Sequence, residues 1–412
     1  MRVSLRPSLG LLLGGLLTAC GVDPAKITDH RLYADDRAVR STEGAITFAV
    51  VGNTRGTVPG LDRALGGHFH GPEVTEAILA DIRSKAGPAG PRFLVHMGDG
   101  VRASTLAEWN GFSKRTGGLL LEGAGDAPPA EGEAGIPGVP VAGDREAAGD
   151  KRFRGLEGAW PGVGAEIGYN RVATWSSFDV KTAGHTWRVM VLDSGKDRLG
   201  SRWNEQRSWI KRTVKGEYDN ILLFMHDPVF DLGGRDDAMN AGGGPAELLD
   251  LIEAETGMMK VQVVFGGGTH VNQALLPDGP FGTAHVGAGG GGAPAMALRR
   301  WGPADSAGRN EDVQLEPMFD LSLMQALDRW NRQHELPGVV MDEAKARDSF
   351  KGFTGAYHPE HFPTYGWWQV TAYGETLDCI FRFRMPSGEF RDIYRLHFEP
   401  KKGWKASRLD VR

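Results

Sequence analysis

A chain of 412 residues, 41% hydrophobic and 24% charged, is long enough to bury a full core in one large domain or two modest ones, and that composition excludes a disordered polypeptide. A formal net charge of -5 with no basic tract excludes a protein that blankets nucleic acid or anionic lipid with positive charge.

The chain opens with Arg2 and Arg6, then an apolar stretch from Leu9 to Leu17, then Leu17-Thr18-Ala19-Cys20. A basic start, a short apolar run and small residues ending on cysteine resemble a bacterial lipoprotein signal over residues 1–20, with Cys20 as the lipidated residue. A simple secretory signal is the rival reading. The apolar run is too short for a transmembrane helix, which needs about 20 residues. Lipidation would hold the chain to membrane through its N-terminal lipid only, on the periplasmic or surface side of the bacterial cell envelope. Cys379 then has no cysteine partner, and predicts a small core residue in a strand instead of a disulfide.

Residues 21–44 are polar and without sustained periodicity, which suits a tether. From Ala45 onward, apolar runs of strand length at Ile46 to Val51, Phe93 to Met97, Val189 to Leu192, Ile221 to Met225 and Val261 to Phe265 read as buried strands. Helical patterns fall between them at Glu73 to Lys85, Leu106 to Arg115, Asn204 to Lys215 and Ala246 to Glu255. Strands alternating with helices predict an α/β architecture with the sheet covered on both faces. Gly117 to Gly138, rich in Gly, Ala and Pro, reads as a surface excursion. A second insertion, 299–365, carries one amphipathic helix around Met318 to His334, where Phe319, Leu323, Leu327 and Trp330 share a face. Trp367 to Tyr373, Leu377 to Phe383 and Phe390 to His397 read as a meander. The domain reading is therefore a core over 45–298, the insertion, and C-terminal strands in 366–412 that complete the core.

Polar residues gather in five short segments: Val51-Gly52-Asn53-Thr54-Arg55, Met97-Gly98-Asp99-Gly100, Ala142-Gly143-Asp144-Arg145-Glu146, Met225-His226-Asp227-Pro228 and Gly266 to Asn272. All but the third directly follow a clear apolar run, and the ends of strands are where open α/β sheets place their ligands. In order and spacing the segments resemble the calcineurin-like metallophosphoesterase superfamily, nearest its purple-acid-phosphatase-like secreted branch. Ser177 to Val180, Val191 to Ser194, Trp209-Ile210 and the glycine-rich Val286 to Ala293 add to the likeness. The resemblance implies two packed β-sheets flanked by helices, and metal-dependent hydrolysis of a phosphate ester.

The metal-holding residues of that family are only partly present. Its opening Gly-Asp-X-His becomes Gly52-Asn53-Thr54-Arg55, so Asn53 and Arg55 stand where two ligands of a first metal are expected. Asp99 matches the aspartate that bridges the two metals. Asp144 replaces an asparagine ligand of the second metal, Arg145 the histidine general acid, and Glu146 keeps the family choice. His226 matches a second-metal ligand, while Gly-His-X-His becomes Gly267-Gly268-Thr269-His270, which lacks its first histidine and keeps its second. A guanidinium about 4 Å from a divalent ion meets a repulsion on the order of 8 kcal/mol at an effective dielectric of 20. The expected site therefore holds one transition metal ion, zinc, manganese or iron, on Asp99, Asp144 and His226, helped by His270, or holds none. Asn53 is the remaining candidate ligand. Arg55 and Arg145 are expected to grip phosphate oxygens, and Arg145 cannot act as an acid because a guanidinium does not release its proton. The rival reading is a catalytically silent relative that binds an anion or a protein partner.

Other features read more plainly. His68 and His70 read as loop histidines, His96 as a satisfied buried histidine, and Asp236 and Asp237 as solvated. Gly287, Gly289 and Gly292 have dinucleotide-fingerprint spacing but lack the strand, turn and helix around it, and read as a turn at the rim of the site. Of Trp367 and Trp368, one is expected in the core and the other on a surface or groove.

Overall fold

The computed structural model describes residues 44–56, 72–87, 89–117, 119, 135–150, 153, 155–156, 174–229, 244–257, 260–270, 272–276, 282–293, 365–385 and 387–409. The stretches expected to be the signal, the tether as far as residue 43 and the amphipathic helix around 318–334, together with His68, His70, Asp236 and Asp237, lie outside these residues. Among the described residues, no helix is long and apolar enough to cross a membrane.

Two mixed sheets with helices outside them form the body, as the alternation of patterns predicts. The first sheet has the order β13-β12-β11-β10-β1-β2-β3. Its parallel part is β1 (Ala45–Val51), β2 (Pro91–His96) and β3 (Gly138–Pro140). The C-terminal meander β10 (Gly366–Tyr373), β11 (Thr376–Arg384), β12 (Phe390–Glu399) and β13 (Gly403–Arg408) continues it antiparallel from β1. The second sheet has the order β4-β5-β6-β7-β9-β8. It consists of β4 (Ser176–Thr182), β5 (His185–Leu192), β6 (Asn220–Met225), β7 (Val261–Gly266), β8 (Asn272–Leu275) and β9 (Ala284–Ala288). In this sheet β5, β6, β7 and β9 run parallel, with β4 and β8 antiparallel at its edges.

The continuous apolar runs have a simple cause: both faces of each central strand are buried. On β6, Leu222 and Phe224 point between the sheets, while Ile221, Leu223 and Met225 point the other way under helices. The inner layer is aromatic. Phe48 stacks on Phe93 at 4.6 Å and meets Phe224 edge-on at 6.2 Å, and Phe224 stacks on Phe265 at 5.0 Å, so this chain of rings runs from one sheet to the other.

Outside the first sheet, α1 (Pro72–Lys85) sets Val74, Ile78, Leu79 and Ile82 against Ala49, Val51 and Leu94. Outside the second, α5 (Arg202–Thr213) and α6 (Gly244–Thr256) bring Trp203, Trp209, Ile210, Leu248, Leu249 and Ile252 to one cluster. The short α2 (Leu106–Thr116), capped by Thr105 accepting from the Glu108 amide, packs Trp109 and Phe112 beside Val101 and Ala142. Two four-residue helices, α3 (Asp144–Ala147) and α4 (Lys196–Leu199), complete the described helices used below.

Both tryptophans of β10 are fully buried, so neither lines a surface or groove. Trp368 enters the inter-sheet core and donates to the Gly287 carbonyl at 2.9 Å. Trp367 faces outward but is covered by α1, where its Nε1 donates to Asp81 at 2.8 Å. Arg382 holds the same carboxylate at 2.6 Å, pinning the helix to the meander. Cys379 is fully buried in β11, as a core residue.

Truncation of Phe224 to Ala removes two aromatic contacts and opens a cavity between the sheets. The expected loss is about 4 kcal/mol of unfolding free energy, read by urea denaturation. A loss below about 1 kcal/mol would show that the sheets do not pack through this ring.

Candidate functional site

The parallel strands of both sheets end at the same side of the sandwich, and four of the five segments emerge there. Val51 leads through Gly52 to Asn53 and Arg55, and His96 through Met97 and Gly98 to Asp99; Met225 leads to His226, and Gly266 through a short turn to His270. The third segment follows β3, a strand of three residues that is too short to show as an apolar run.

The first two turns are shaped to meet each other. Asn53 and Asp99 both adopt a left-handed backbone with φ of 55°, a region where Asn and Asp are the most tolerated side chains after glycine. The turns are joined by backbone bonds from Asn53 N–H to Gly98 O and from Arg55 N–H to Asp99 O, both 2.9 Å. Gly98 has φ +87°, and a Cβ there would lie 2.6 Å from His226 Nδ1 and 2.8 Å from Gly143 N. Only glycine lets three segments approach this closely.

Asp99 is the centre of the cluster. Its Oδ1 accepts from the Arg145 amide at 3.0 Å and lies 3.6 Å from His226 Nε2, while its Oδ2 lies 3.5 Å from Arg55 Nε and 3.9 Å from Arg145 Nε. Arg55 is 1% exposed. Its guanidinium also donates to the Gly56 carbonyl at 3.1 Å and reaches His270 Nε2 at 3.3 Å. Because arginine can only donate, His270 Nε2 must be the acceptor. Asn53 turns its amide nitrogen towards the carbonyls of Gly267, Thr269 (3.4 Å) and Gly289 (3.2 Å). Its Oδ1 is buried without a hydrogen bond among the described residues.

On the other side of Asp99, His226 is fully buried and donates from Nδ1 to the Met97 carbonyl at 2.7 Å, which fixes the ring and turns Nε2 towards the carboxylates. Nε2 has no hydrogen bond among the described residues. Burial opposes a charge on this ring, yet Asp99, Asp227 and Asp144 outweigh it and the pKa is raised. Ligand atoms of Asp144, His226 and Asp227 lie within 4.8 Å of one another. The donor set is an imidazole and carboxylates around an unsatisfied buried nitrogen, which fits a transition metal ion.

Three carboxylates and one arginine steady this arrangement. Glu146 is buried and takes the backbone amides of Gly100, Asp99 and Gly143 at 2.8, 3.0 and 2.9 Å, tying the second segment to the third. Burial, reinforced by Asp99, raises its pKa. Arg198, on α4, holds Asp144 at 2.6 Å and grips the fully buried Asp193, which also accepts from Thr174 at 2.6 Å. Burial works against the Arg198 charge, but Asp193 and Asp144 prevail and its pKa is raised. Asp227 accepts from Ser194 Oγ at 2.7 Å. Arg198 escapes sequence reading because it belongs to no segment, whereas Asp227 adjoins His226 and could have been weighed with it.

The structure thus gathers Asn53, Arg55, Asp99 and His270 on one side and Asp144, His226 and Asp227 on the other, with Asp99 reaching both. Arg145 is the guanidinium of the cluster that meets solvent, its side chain 25% exposed against 1% for Arg55 and 11% for Arg198. The glycine-rich segment lies at this rim: the Gly291 amide donates to Gly52 O at 2.9 Å and the Ala293 amide to Asn53 O at 2.8 Å.

No family model and no curated protein matches the chain. Among solved structures it is similar to a purple acid phosphatase from yellow lupin seeds, with a TM-score of 0.46, 14% identity, and coverage of 87% of this chain and 54% of that one. It thus spans about half the length of that protein. It is also similar to GAP50, the anchor in the inner membrane complex of Plasmodium, with a TM-score of 0.45, 14% identity and 90% of each chain covered. For PhoD the TM-score is 0.48 and the identity 12%, with 90% of this chain and 73% of that one covered.

His96 is buried between Thr54 Oγ1, 2.7 Å from its Nε2, and the Gly98 amide, 3.3 Å from its Nδ1. Burial is the main reason its pKa falls to about 3; Asp99 pulls it upward, while His226 and Arg115 add to the lowering. The unfolded chain therefore takes up this proton first on acidification, near the ordinary value of 6.5, and the fold loses stability as pH falls towards 3. From pH 7 to pH 4 the expected loss from this residue is about 3 kcal/mol. His96→Gln should flatten the pH dependence of melting over that interval. Parallel curves for variant and wild type would remove His96 as the cause.

Proposed function

We propose that this chain is an envelope-anchored metallophosphoesterase-type protein that binds a phosphate ester with one transition metal ion, while the Arg55 guanidinium stands where a second cation would otherwise be. The observation that carries this reading is the difference across Asp99: a fixed guanidinium cation, Arg55, 3.5 Å away on one side, and on the other an imidazole, His226, whose Nε2 is buried without a hydrogen bond among the described residues, beside Asp144 and Asp227. His226, Asp99, Asp144 and Asp227 would hold the ion, and zinc, manganese or iron suits their donors. The lipid anchor at Cys20 remains a reading of the sequence, and with it the placement outside the cytoplasm.

When bound, such an ion lowers the pKa of a water molecule and polarises a phosphoryl oxygen. Arg145, partly exposed and beside Asp99, is placed to take the remaining phosphate oxygens in a bidentate grip. Arg55 stays behind Asp99 and offsets its charge. None of these groups can protonate a leaving oxygen, since the position of the expected histidine acid carries Arg145. Turnover should therefore favour aryl phosphates, whose leaving groups need no proton.

A second reading has its own support. Arg198 already neutralises Asp144, and Arg55 and Arg145 already face Asp99, so the carboxylates have internal partners without a metal. On that reading the protein is a silent relative that binds an anion or a protein partner.

Metal analysis and an aryl phosphate assay with added manganese, iron or zinc separate the two. The first reading expects about one ion per chain, with both metal and turnover lost in Asp99→Ala, and metal affinity reduced at least 10-fold in His226→Ala. Alkyl phosphates cleaved ten times faster than aryl ones would contradict the leaving-group argument. A wild type with neither metal nor turnover would leave the second reading standing.

A further inference from the structure

We infer that Arg55, together with Asn53, is a resident clasp between the two sheets: a covalently held cation that closes one half of the site without metal. The two residues leave β1 of the first sheet. Arg55 reaches Asp99, behind β2 of the same sheet, and His270, behind β7 of the second. Asn53 reaches the carbonyls of Gly267 and Thr269, also behind β7, and of Gly289 behind β9. A divalent ion on the same side would join the same loops through the same kinds of atom, a carboxylate and an imidazole nitrogen.

Several details fit a clasp better than a substrate contact. Arg55 is 1% exposed and Asn53 is 0% exposed, so both are part of the interior. The guanidinium faces a carboxylate at 3.5 Å and bonds an imidazole and the Gly56 carbonyl, all from this chain. The amide nitrogen of Asn53 sits among three carbonyl oxygens, a place for a donor and not for the carboxylate that an aspartate would bring. Asn53 and Arg55 therefore belong together: the neutral amide suits the carbonyls, and the arginine supplies the positive charge that Asp99 needs. Returning either position alone to a metal ligand would leave the other mismatched.

The inference concerns the fold of the site and stands whether or not the His226 side supports turnover. It is tested on the full-length chain by melting temperature with and without a chelator, and by metal content. Chelator should shift the wild type by no more than the single His226-side ion accounts for, about 5 °C or less. Arg55→Met should melt about 8 °C lower, because Asp99 loses the buried one of its two arginines and keeps only the partly exposed Arg145, and metal should not restore it since methionine supplies no charge and no hard donor. The paired variant Asn53→Asp with Arg55→His should be unstable in chelator, recover at least half of its lost melting temperature with manganese or zinc, and carry one ion per chain more than the wild type. Arg55→Met melting within about 2 °C of wild type would overturn the clasp, as would a wild type that itself loads a second ion. If Arg55→Met does not fold, the paired variant decides: rescue by metal supports the clasp, and failure of rescue overturns it. A wild type without turnover, with these melting shifts intact, would count against the phosphoesterase reading and leave the clasp supported.

Discussion

Loops from two separate sheets converge on a buried carboxylate, Asp99, and that carboxylate needs positive charge from more than one direction. An ionised aspartate held at 5% exposure is tolerable only when its charge is met. In this chain one side is met by Arg55 from β1, and the rim by Arg145 from α3. The remaining side faces His226, whose ring is fixed by the Met97 carbonyl and whose outer nitrogen stands 3.6 Å from Asp99 without a hydrogen bond among the described residues. The chemistry of the site follows from how that last side is satisfied.

The surrounding structure fixes the turns that carry the carboxylates. Glu146 takes the amides of Asp99, Gly100 and Gly143, and Arg198 holds Asp144 while anchored on Asp193. These groups are held by short secondary structure, a four-residue helix in each case, fastened by side chains to the ends of long strands. The rigid element is the pair of sheets, joined by the ring chain of Phe48, Phe224 and Phe265, and the site is a set of turns attached to it.

Much of the fold was legible in the sequence because burial on both faces writes an unbroken apolar run, as in Ile221 to Met225, and amphipathic helices write a 3.6-residue period, as in Val74, Ile78 and Ile82. Strands that escaped notice lack such runs. β3 has three residues, and β8 and β9 have few large apolar side chains and mix in Gln273 and His285. The expectation for Trp367 failed for a physical reason: alternation places it away from the inter-sheet core, but α1 covers that face, and a strand pattern does not reveal what lies above it. At the site, the polar residues that end the strands were legible one by one, and Asn53, Arg55, Asp99, His226 and His270 lie close together in the fold. Arg198 could not be placed, because its role depends on contacts with the third segment 54 and 56 residues away and on a helix of a single turn.

The division of labour across Asp99 can be seen directly by growing crystals with manganese and measuring anomalous scattering at the site. The expected result is one strong peak within bonding distance of His226 Nε2 and the Asp99 carboxylate, with Arg55 still against Asp99 and His270. A peak between Asp99, Asn53 and His270, with the Arg55 side chain displaced, would contradict it.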